Sequence, residues 1–540
     1  MLLGYVSNEH YSAIADALVE IALPHGDPLV IRSAPSGAIY ADIPPGEYDV
    51  TLSAPGHGSK RTRAAFAPGA PFQFRLLTNT LLGYACPKWV RGGETSEFRV
   101  HSTHGYRLSL WRYGKEKELV KLIGWFDEHA PRATMQVLPD KDFSQTGVEW
   151  NTRGYPANFP GQKITAPDRS GLYFFHAEAA DGQFFSFPWV VAPATPTSPI
   201  AVIASTNTWN AYNNFGGRSN YINSTSLPAT PTVNSRLDLS RYTGELQSVW
   251  QFPNDQYAPL SFDRPEIYNH IPADHDLYSP VSGRQAGHLA EAEWRLLGWL
   301  ERENFDYDIY SDAQMHDGTL DLHAYRVLII STHPEYWSRE QYFRMKDWVV
   351  NHGGRVMYLG GNGIDCEVVF NPDDSLHFLT WYPGANPGVP TRHPETGAPI
   401  ECRFHLTTGE SPAALLGVVF EESGIGTGAP YRVTDETHWI YGGTGLKNGD
   451  VFGEKSLHER SPGGASGHET DKRSASSPAQ THACARGMNI DDGGAEIVTA
   501  EYESGGQVFS AGSICWTSSI IVDEHISTIT RNVLNRYLKS

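Results

Sequence analysis

The sequence predicts a chain whose N-terminal part consists of small β-sandwich-like modules and whose C-terminal part is an α/β domain. Three observations support this fold class. Short alternating strand patterns fill the first 195 residues. A Pro/Ser/Thr-rich segment follows at 192–199. Beyond it, apolar strand patterns alternate with helical patterns, which is typical of a sheet covered by helices.

The N-terminal strands are predicted from the alternation of apolar and polar residues. Residues 46–53 alternate after a Pro-Pro-Gly turn, and residues 96–101 repeat the pattern. Residues 171–176 form a more apolar, aromatic-rich run. Alternation of this kind indicates a strand with one buried face. We therefore predict two β modules, 1–82 and 83–195.

The C-terminal domain is predicted to span residues 196–540. Its strands are short apolar runs, as expected for strands that are buried on both faces. They are 200–204, 326–331, 355–359 and 507–511. Three helices are predicted: 290–303, a second that begins with the capping box 338–341 and ends at Gly353, and a third capped by Asp523. Strands that alternate with helices indicate a mainly parallel sheet.

Composition excludes several classes of function. The formal net charge of -19 argues against a nucleic-acid partner, because phosphate binding needs a basic surface. No apolar run approaches the roughly 18 residues of a membrane span, and no signal peptide is recognised. The five cysteines are far apart and form no CxxC pair, which argues against a disulfide framework. These features predict a cytoplasmic protein.

Polar and aromatic residues follow the predicted strands of the C-terminal domain. These segments are 205–213, 332–338, 360–363 and 512–516. Ligands of open α/β sheets bind beyond the carboxyl ends of the strands, so we expect these segments to meet at one edge. Nucleophile-elbow, dinucleotide, Walker A and H-E-x-x-H motifs are absent from the sequence. Carboxylate, histidine and tyrosine side chains remain as candidates, and oxygen ligands suit a hard cation.

Three motifs in the same order resemble the large subunit of N,N-dimethylformamidase. They are His-Pro-Glu-Tyr-Trp-Ser at 333–338, Gly-Gly-Asn-Gly at 360–363 and the Gly-rich segment 462–471. The resemblance covers most of residues 200–540 and is weak in the N-terminal β part. The resemblance implies a glutamine-amidotransferase-like α/β domain with a mainly parallel sheet, preceded by β-sandwich-like modules.

The resemblance implies an amidohydrolase that uses one mononuclear Fe³⁺ to cleave a small, formamide-like linear amide. In that family two tyrosines and one glutamate hold the iron. The matching residues here are Tyr212, Tyr257 and Glu335, with Tyr268 as the alternative to Tyr257. The family also places a histidine, an asparagine and a second glutamate beside the metal, which match His333, Asn362 and Glu469.

These matches imply a role for each side chain. Asn362 would donate a hydrogen bond to the developing oxyanion, and Glu469 would attack the substrate or deprotonate water. His333 would orient groups or carry protons. The partners expected are a small-molecule amide, further copies of the chain in a homo-oligomer and a small accessory subunit.

Two other functions are compatible with the same residues. Glu335 and Glu469 could be the paired carboxyl groups of a glycoside hydrolase. The chain could also be a non-catalytic ligand-binding protein on an amidotransferase-like fold that lacks the nucleophile. Among single residues, Asn362 could serve only as a left-handed turn residue, and Asp471 could take the place of Glu469.

Overall fold

The structure is a computed structural model. It describes residues 1–8, 12–76, 78, 80–102, 104–126, 162–213, 215, 219–220, 230–231, 254, 259–280, 287–381, 389–394 and 397–539. Within these ranges no helix has the length and apolar character required to cross a membrane.

The first seven strands form two sheets around one core. The strands are β1 (Leu2–Asn8), β2 (Leu18–Ile21), β3 (Leu29–Arg32), β4 (Ala38–Tyr40), β5 (Gly46–Ser53), β6 (Lys60–Phe66) and β7 (Phe72–Leu76). One sheet has the order β4-β1-β7 and the other β3-β2-β5-β6. Val19, Val50 and Phe74 lie in the shared core. The predicted strand 46–53 is confirmed as β5, which alternates between buried and exposed residues.

The next eight strands form a second pair of sheets. They are β8 (Leu82–Cys86), β9 (Trp89–Arg91), β10 (Thr95–His101), β11 (Tyr106–Tyr113), β12 (Lys117–Phe126), β13 (Lys163–Thr165), β14 (Gly171–Ala179) and β15 (Phe184–Ala192). The sheet orders are β13-β10-β8 and β12-β11-β14-β15-β9. Aromatic residues such as Phe98, Phe175 and Trp189 pack between the sheets.

The remaining chain contains sixteen strands and eight α-helices within the described ranges. The strands are β16 (Ile200–Ala204), β17 (Asp308–Ser311), β18 (Val327–Thr332), β19 (Tyr336–Trp337), β20 (Arg355–Gly360), β21 (Cys366–Phe370), β22 (Leu376–Phe378), β23 (Val419–Glu421), β24 (Gly428–Ala429), β25 (Tyr431–Val433), β26 (Val451–Phe452), β27 (Ser466–Gly467), β28 (Thr470–Lys472), β29 (His482–Gly487), β30 (Glu496–Glu501) and β31 (Gln507–Ser510). The helices are α1 (Thr206–Tyr212), α2 (Ala290–Arg302), α3 (Asp312–His316), α4 (Arg339–His352), α5 (Arg403–Thr408), α6 (Ala413–Leu416), α7 (Cys515–Ser519) and α8 (Glu524–Lys539).

The predicted fold class is wrong. Strand takes up 37% of the structure and helix 19%, so the chain is mostly β rather than an α/β amidotransferase-like protein. The largest sheet has nine strands in the order β17-β16-β18-β20-β31-β30-β29-β25-β26. Pairings from β17 to β31 are parallel. Those from β31 to β26 are antiparallel, so the sheet is mixed.

The lengths of the connections explain the mixed sheet. Parallel neighbours need a crossover of a dozen or more residues, whereas antiparallel neighbours can be joined by a short turn. Only residues 502–506 join β30 to β31, with Gly505 in a left-handed conformation. The strand predicted at 507–511 is β31, and its antiparallel neighbour β30 is not among the predicted strands. The short strands β27 and β28 lie within the polar stretch from Arg460 to Gln480.

The predicted helix boundaries are confirmed where local signals were strong. Ser338 accepts a hydrogen bond from the backbone of Gln341, whose side chain bonds back, and this capping box opens α4. The helix ends at Gly353, whose φ of 75° is the left-handed conformation that favours glycine. Asp523 Oδ1 accepts hydrogen bonds from the backbone of His525 and Ile526 at the start of α8.

Candidate functional site

The segments that follow the parallel strands of the large sheet lie at one edge of that sheet. Helix α1 begins directly after β16, and 333–338 follows β18. The 360–363 turn closes β20. The segment 466–472 joins this edge through a backbone hydrogen bond from Asp471 to Gly512, which lies just beyond β31. Loops that follow separate strands thereby come within contact of one another.

Glu335 lies at the centre of this cluster and is 2% exposed. The Tyr212 hydroxyl donates a hydrogen bond to Glu335 Oε2 over 3.2 Å. Arg403 Nη2 donates to Glu335 Oε1 over 2.6 Å. The same guanidinium donates to Asp365 Oδ2 through Nε, over 2.7 Å, and through Nη2. A buried carboxylate needs such compensation, because burial of an unpaired charge is costly.

His333 joins the two glutamates of the site. Its Nε2 lies 3.2 Å from Glu335 Oε2 and 3.0 Å from Glu469 Oε2. Asn362 Nδ2 donates to Glu469 Oε2 over 2.9 Å. The His333 side chain is fully buried, while that of Glu469 is 13% exposed. Glu469 is therefore the carboxylate of this group with the greater access to solvent.

Asp471 holds the 360–363 turn in place through two hydrogen bonds. Its Oδ1 accepts a hydrogen bond from the Asn362 backbone over 2.7 Å, and its Oδ2 accepts one from the Tyr358 hydroxyl over 2.5 Å. Asn362 has a φ of 48°, so it is a left-handed turn residue whose side chain also contacts Glu469. Backbone strain of this kind clusters at functional sites.

Two buried carboxyl groups fix helix α1, which carries Tyr212 at its C-terminal end. Glu293 Oε1 accepts hydrogen bonds from the backbone of Ser205 and from Trp209 Nε1. Asp312 Oδ2 accepts one from the backbone of Asn207 over 2.9 Å. Burial raises the pKa of Glu293 to about 8 and that of Asp312 to about 7. Helix α1 is therefore held by hydrogen bonds to two carboxyl groups, those of Glu293 and Asp312, that retain protons near neutral pH.

Burial and neighbouring charges shift the pKa values of His333, Glu469 and Glu335 in different directions. Burial lowers the pKa of His333, but the carboxylates of Glu469 and Glu335 outweigh burial and hold it above its usual value. For Glu469, burial raises the pKa, but the charge of His333 and the hydrogen bonds from His333 and Asn362 bring it below the usual value. Burial dominates for Glu335, whose pKa is raised despite His333 and Arg403.

The donor set fits the cation that the sequence predicted. Tyr212 and Glu335 present oxygen atoms to each other in a buried setting, and oxygen donors suit hard cations. Asn362 Oδ1 is buried without a hydrogen-bond partner among the described residues. Three carboxyl groups, of Glu335, Glu469 and Asp365, face two basic side chains, His333 and Arg403. This excess of acidic groups favours binding of a positive ion.

The structure brings together five of the six site residues that the sequence predicts. Tyr212, His333, Glu335, Asn362 and Glu469 are linked by the contacts given above. The sixth, Tyr257, lies outside the described residues. Its alternative, Tyr268, lies in the short 3₁₀ turn Ile267–Asn269 and packs against the hydrophobic core, where burial raises its pKa. The second tyrosine ligand therefore stays a prediction.

The sequence motifs do not include Arg403 or the three buried histidines His288, His458 and His468, which lie beside the site. Arg403 lies on α5, far along the chain from Glu335, and no motif marks it. The Tyr212 and His333 rings both pack against His288, with centroids 4.5 and 5.2 Å away. His288 in turn packs against His468 at 5.1 Å, and His468 Nδ1 lies 3.0 Å from His458 Nε2. A buried carboxylate implies a nearby cation, but the sequence does not show which residue supplies it.

The position of His333 argues against the glycoside-hydrolase alternative. In such enzymes the scissile bond and the sugar ring occupy the space between the two carboxyl groups. Here one nitrogen of His333 lies within 3.2 Å of both Glu335 and Glu469 and takes up that space. The two carboxyl groups are consequently arranged around an imidazole rather than around an open cleft.

Comparisons with known proteins give a family match and two curated relatives. The family model described as N,N-dimethylformamidase beta subunit-like, C-terminal, matches residues 104–527. A protein named N,N-dimethylformamidase beta subunit from Alcaligenes sp is 25% identical over 479 residues, covering 74% of this chain and 59% of the relative. One of the same name from Paracoccus aminophilus is 24% identical over 488 residues, covering 75% and 60%. The chain thus spans about three fifths of the length of these relatives.

Solved structures offer only a weak likeness. A cold-adapted β-galactosidase from Rahnella sp. R3 aligns with a TM-score of 0.27 and 11% identity, covering 46% of this chain and 27% of that one. A likeness at this level carries no argument about fold or function.

Proposed function

The chain belongs to the N,N-dimethylformamidase beta subunit-like family, and we propose that it hydrolyses a small, formamide-like linear amide to a carboxylic acid and an amine. One observation carries the proposal. Tyr212, His333, Glu335, Asn362 and Glu469 come from four separate segments of the chain and meet in a single chain of contacts at one edge of the sheet. A buried cluster of polar and titratable groups is the expected setting for catalysis.

Tyr212 and Glu335 would hold a single ferric ion, and a second tyrosine, Tyr257 or Tyr268, would complete the protein ligands. When bound, the ion would act as a Lewis acid on the amide carbonyl and lower the pKa of water. Arg403 holds Glu335 Oε1 and thereby directs Oε2 towards Tyr212. The protein's contribution at this point is to fix two oxygen donors before the substrate arrives.

The remaining groups would move protons and stabilise charge. Glu469 is held in its carboxylate form by His333 and Asn362 and is partly open to solvent, so it can accept a proton from water. The water oxygen adds to the carbonyl carbon, the C–N bond breaks, and the proton passes to the leaving amine nitrogen. His333 contacts both glutamates and is placed to carry that proton.

Asn362 would stabilise the negative charge that develops on the carbonyl oxygen. Its Nδ2 donates to Glu469 in the structure and would be shared with the substrate oxygen during the reaction. One donor of this kind is worth about 3–4 kcal/mol of transition-state stabilisation. The left-handed backbone at Asn362, fixed by Asp471, sets the direction in which the amide points.

The names of the relatives support a role within a larger assembly. Both relatives are named as beta subunits. We propose that this chain works with a small accessory subunit and also forms a homo-oligomer. Sedimentation analysis of the chain, alone and co-expressed with neighbouring small reading frames, would test this part of the proposal.

A pair of matched glutamate variants tests the proposed site. Glu335→Gln removes one oxygen donor without changing volume, and we expect the purified variant to lose its iron and its hydrolysis of dimethylformamide. Glu367→Gln is the control, because Glu367 is equally buried, at 2% exposure, but pairs with Arg339 rather than with the site residues. Iron is measured by elemental analysis and by the visible band of a ferric phenolate.

Two results would contradict the proposal. One is a Glu335→Gln variant that retains full iron content and full activity. The other is a wild-type protein that is colourless and free of iron yet still hydrolyses the amide at the same rate as iron-loaded protein.

A further inference from the structure

A second cluster of metal-binding side chains lies on the antiparallel half of the large sheet. His482 and Cys484 belong to β29, and His438 lies in the segment that follows β25. One ligand atom from each residue lies within 4.8 Å of the others. The cluster is formed by different strands from those that carry the Glu335 site.

We propose that His438, His482 and Cys484 bind one divalent transition-metal ion of the Zn²⁺ type. The inference does not rest on the proposed amide hydrolysis. Two imidazoles and a thiolate are the ligands that Zn²⁺ prefers, whereas the oxygen-rich Glu335 site suits a harder ion. The two sites would therefore select different metals.

The hydrogen bonds around the cluster match those of a metal site. A histidine that binds a metal through one ring nitrogen usually gives the other to a carboxylate or similar group. His482 Nε2 lies 2.9 Å from Asp435 Oδ2, and His438 Nε2 lies 3.2 Å from Thr499 Oγ1. His438 Nδ1 is buried and has no hydrogen-bond partner among the described residues. Both imidazoles thus have their second nitrogen in the expected role.

Cys484 brings its sulfur to the cluster at a break in the strand. The pairing of β29 with β30 shifts in register between Ala483 and Ala485, so Cys484 is the extra residue of a bulge. Bulges redirect side chains and are frequent beside functional sites. Cys484 is fully buried, which keeps the thiol away from solvent, while His482 is half exposed and gives an ion access from outside.

The rings need to reorient when the metal binds. The His438 and His482 rings are stacked, with centroids 5.1 Å apart and an angle of 11° between their planes. Lone pairs lie in the ring plane, so at least one ring must turn for both nitrogens to face one ion. The half-exposed His482 can turn without disturbing the core. Three protein ligands leave a fourth position for water.

The test is a metal titration of the full-length, chelator-treated protein. Co²⁺, followed by Zn²⁺ in competition, is added to the wild type and to Cys484→Ser and His482→Gln. The wild type is expected to bind one equivalent of Co²⁺ with intense visible bands and a thiolate-to-cobalt charge-transfer band, both lost on addition of Zn²⁺. Each variant is expected to lose the charge-transfer band and this equivalent of metal.

Two further variants sharpen the test. Asp435→Asn removes the carboxylate behind His482 and is expected to weaken Zn²⁺ binding about 10–100-fold. His352→Gln is the matched control. His352 also packs against a second surface histidine, His323, at 4.9 Å, but among the described residues this pair belongs to no group of three metal-binding side chains. This control should bind as the wild type does.

Either of two outcomes would overturn the inference. The first is equal metal stoichiometry and affinity in the wild type, Cys484→Ser and His482→Gln. The second is Co²⁺ binding by the wild type without a thiolate charge-transfer band. Neither depends on amide hydrolysis, so failure here is distinguishable from failure of the Glu335 site.

Discussion

Removal of the Arg403 guanidinium should destabilise the protein far more than removal of an exposed arginine. Arg403 is 5% exposed and is the cation that contacts both Glu335 and Asp365. Its guanidinium also lies over the Tyr336 ring, 5.8 Å from the centroid. Arg403→Met keeps most of the side-chain volume and removes only the charge and its donors.

The magnitude follows from the burial of the partners. Glu335 and Asp365 are 2% and 1% exposed, and Asp365 Oδ1 already has no hydrogen-bond partner among the described residues. Removing one member of a buried ion pair leaves an uncompensated charge and costs about 3–5 kcal/mol. At a urea m-value of about 2–3 kcal/mol/M, this corresponds to a midpoint lowered by about 1–2 M.

The assay is urea unfolding at pH 7, followed by tryptophan fluorescence, with Arg107→Met as the control. Arg107 is 51% exposed and pairs with Glu178, which is itself 39% exposed. A pair of exposed groups keeps much of its hydration in the folded state, so its loss should cost about 1 kcal/mol or less. The loss in Arg403→Met should shrink at pH 5, because burial raises the pKa of Glu335 and its stranded carboxyl group takes up a proton more readily as the pH falls.

The reasoning would be refuted by an Arg403→Met midpoint within the range of Arg107→Met at pH 7. It would also be refuted by a larger loss at pH 5 than at pH 7, because protonation of Glu335 removes a charge that the arginine compensates.

Two further predictions concern helix α1. The pKa of Asp312 is raised by burial from its usual 3.8 to about 7, so the folded protein holds this proton more tightly than the unfolded chain. Its contribution to stability therefore declines as pH rises from about 4 to 7, by up to about 4 kcal/mol. Asp312→Asn should remove this slope in urea unfolding at pH 5 and 8; equal slopes in the wild type and the variant would contradict the assignment. Tyr212→Phe deletes only the hydroxyl that donates to Glu335, so we expect the free energy of unfolding to fall by about 1.5–3 kcal/mol and the iron content and visible band to be lost. A coloured, iron-replete Tyr212→Phe protein would show that Tyr212 is not a ligand.

Local elements were predictable wherever a short segment carries its own signal. The apolar run at 200–204 is β16, the capping box at 338–341 opens α4, and Asp523 caps α8. These features depend on hydrogen bonds and side-chain burial within a few residues, which the sequence displays directly. The placement of Glu335 just beyond a buried strand follows from the same local pattern.

Sequence patterns do not show the direction of strand pairing. An apolar run looks the same whether its neighbours are parallel or antiparallel, and β29 and β30 were not among the predicted strands. The fold class was consequently assigned to the wrong group. The nine-stranded order could be read only from the pairing of strands that are distant in sequence.

By itself the sequence determined several candidate site residues and the strands and helices with strong local signals, because composition, periodicity and caps act over short distances. Only the tertiary structure decided which of those residues meet. Arg403 reaches Glu335 from a helix 68 residues away in sequence, and His438, in the segment that follows β25, lies near Cys484 of β29. A buried charge or polar atom needs a partner for its charge or hydrogen bond. Any compatible residue that the fold places nearby can be that partner, wherever it lies in the sequence.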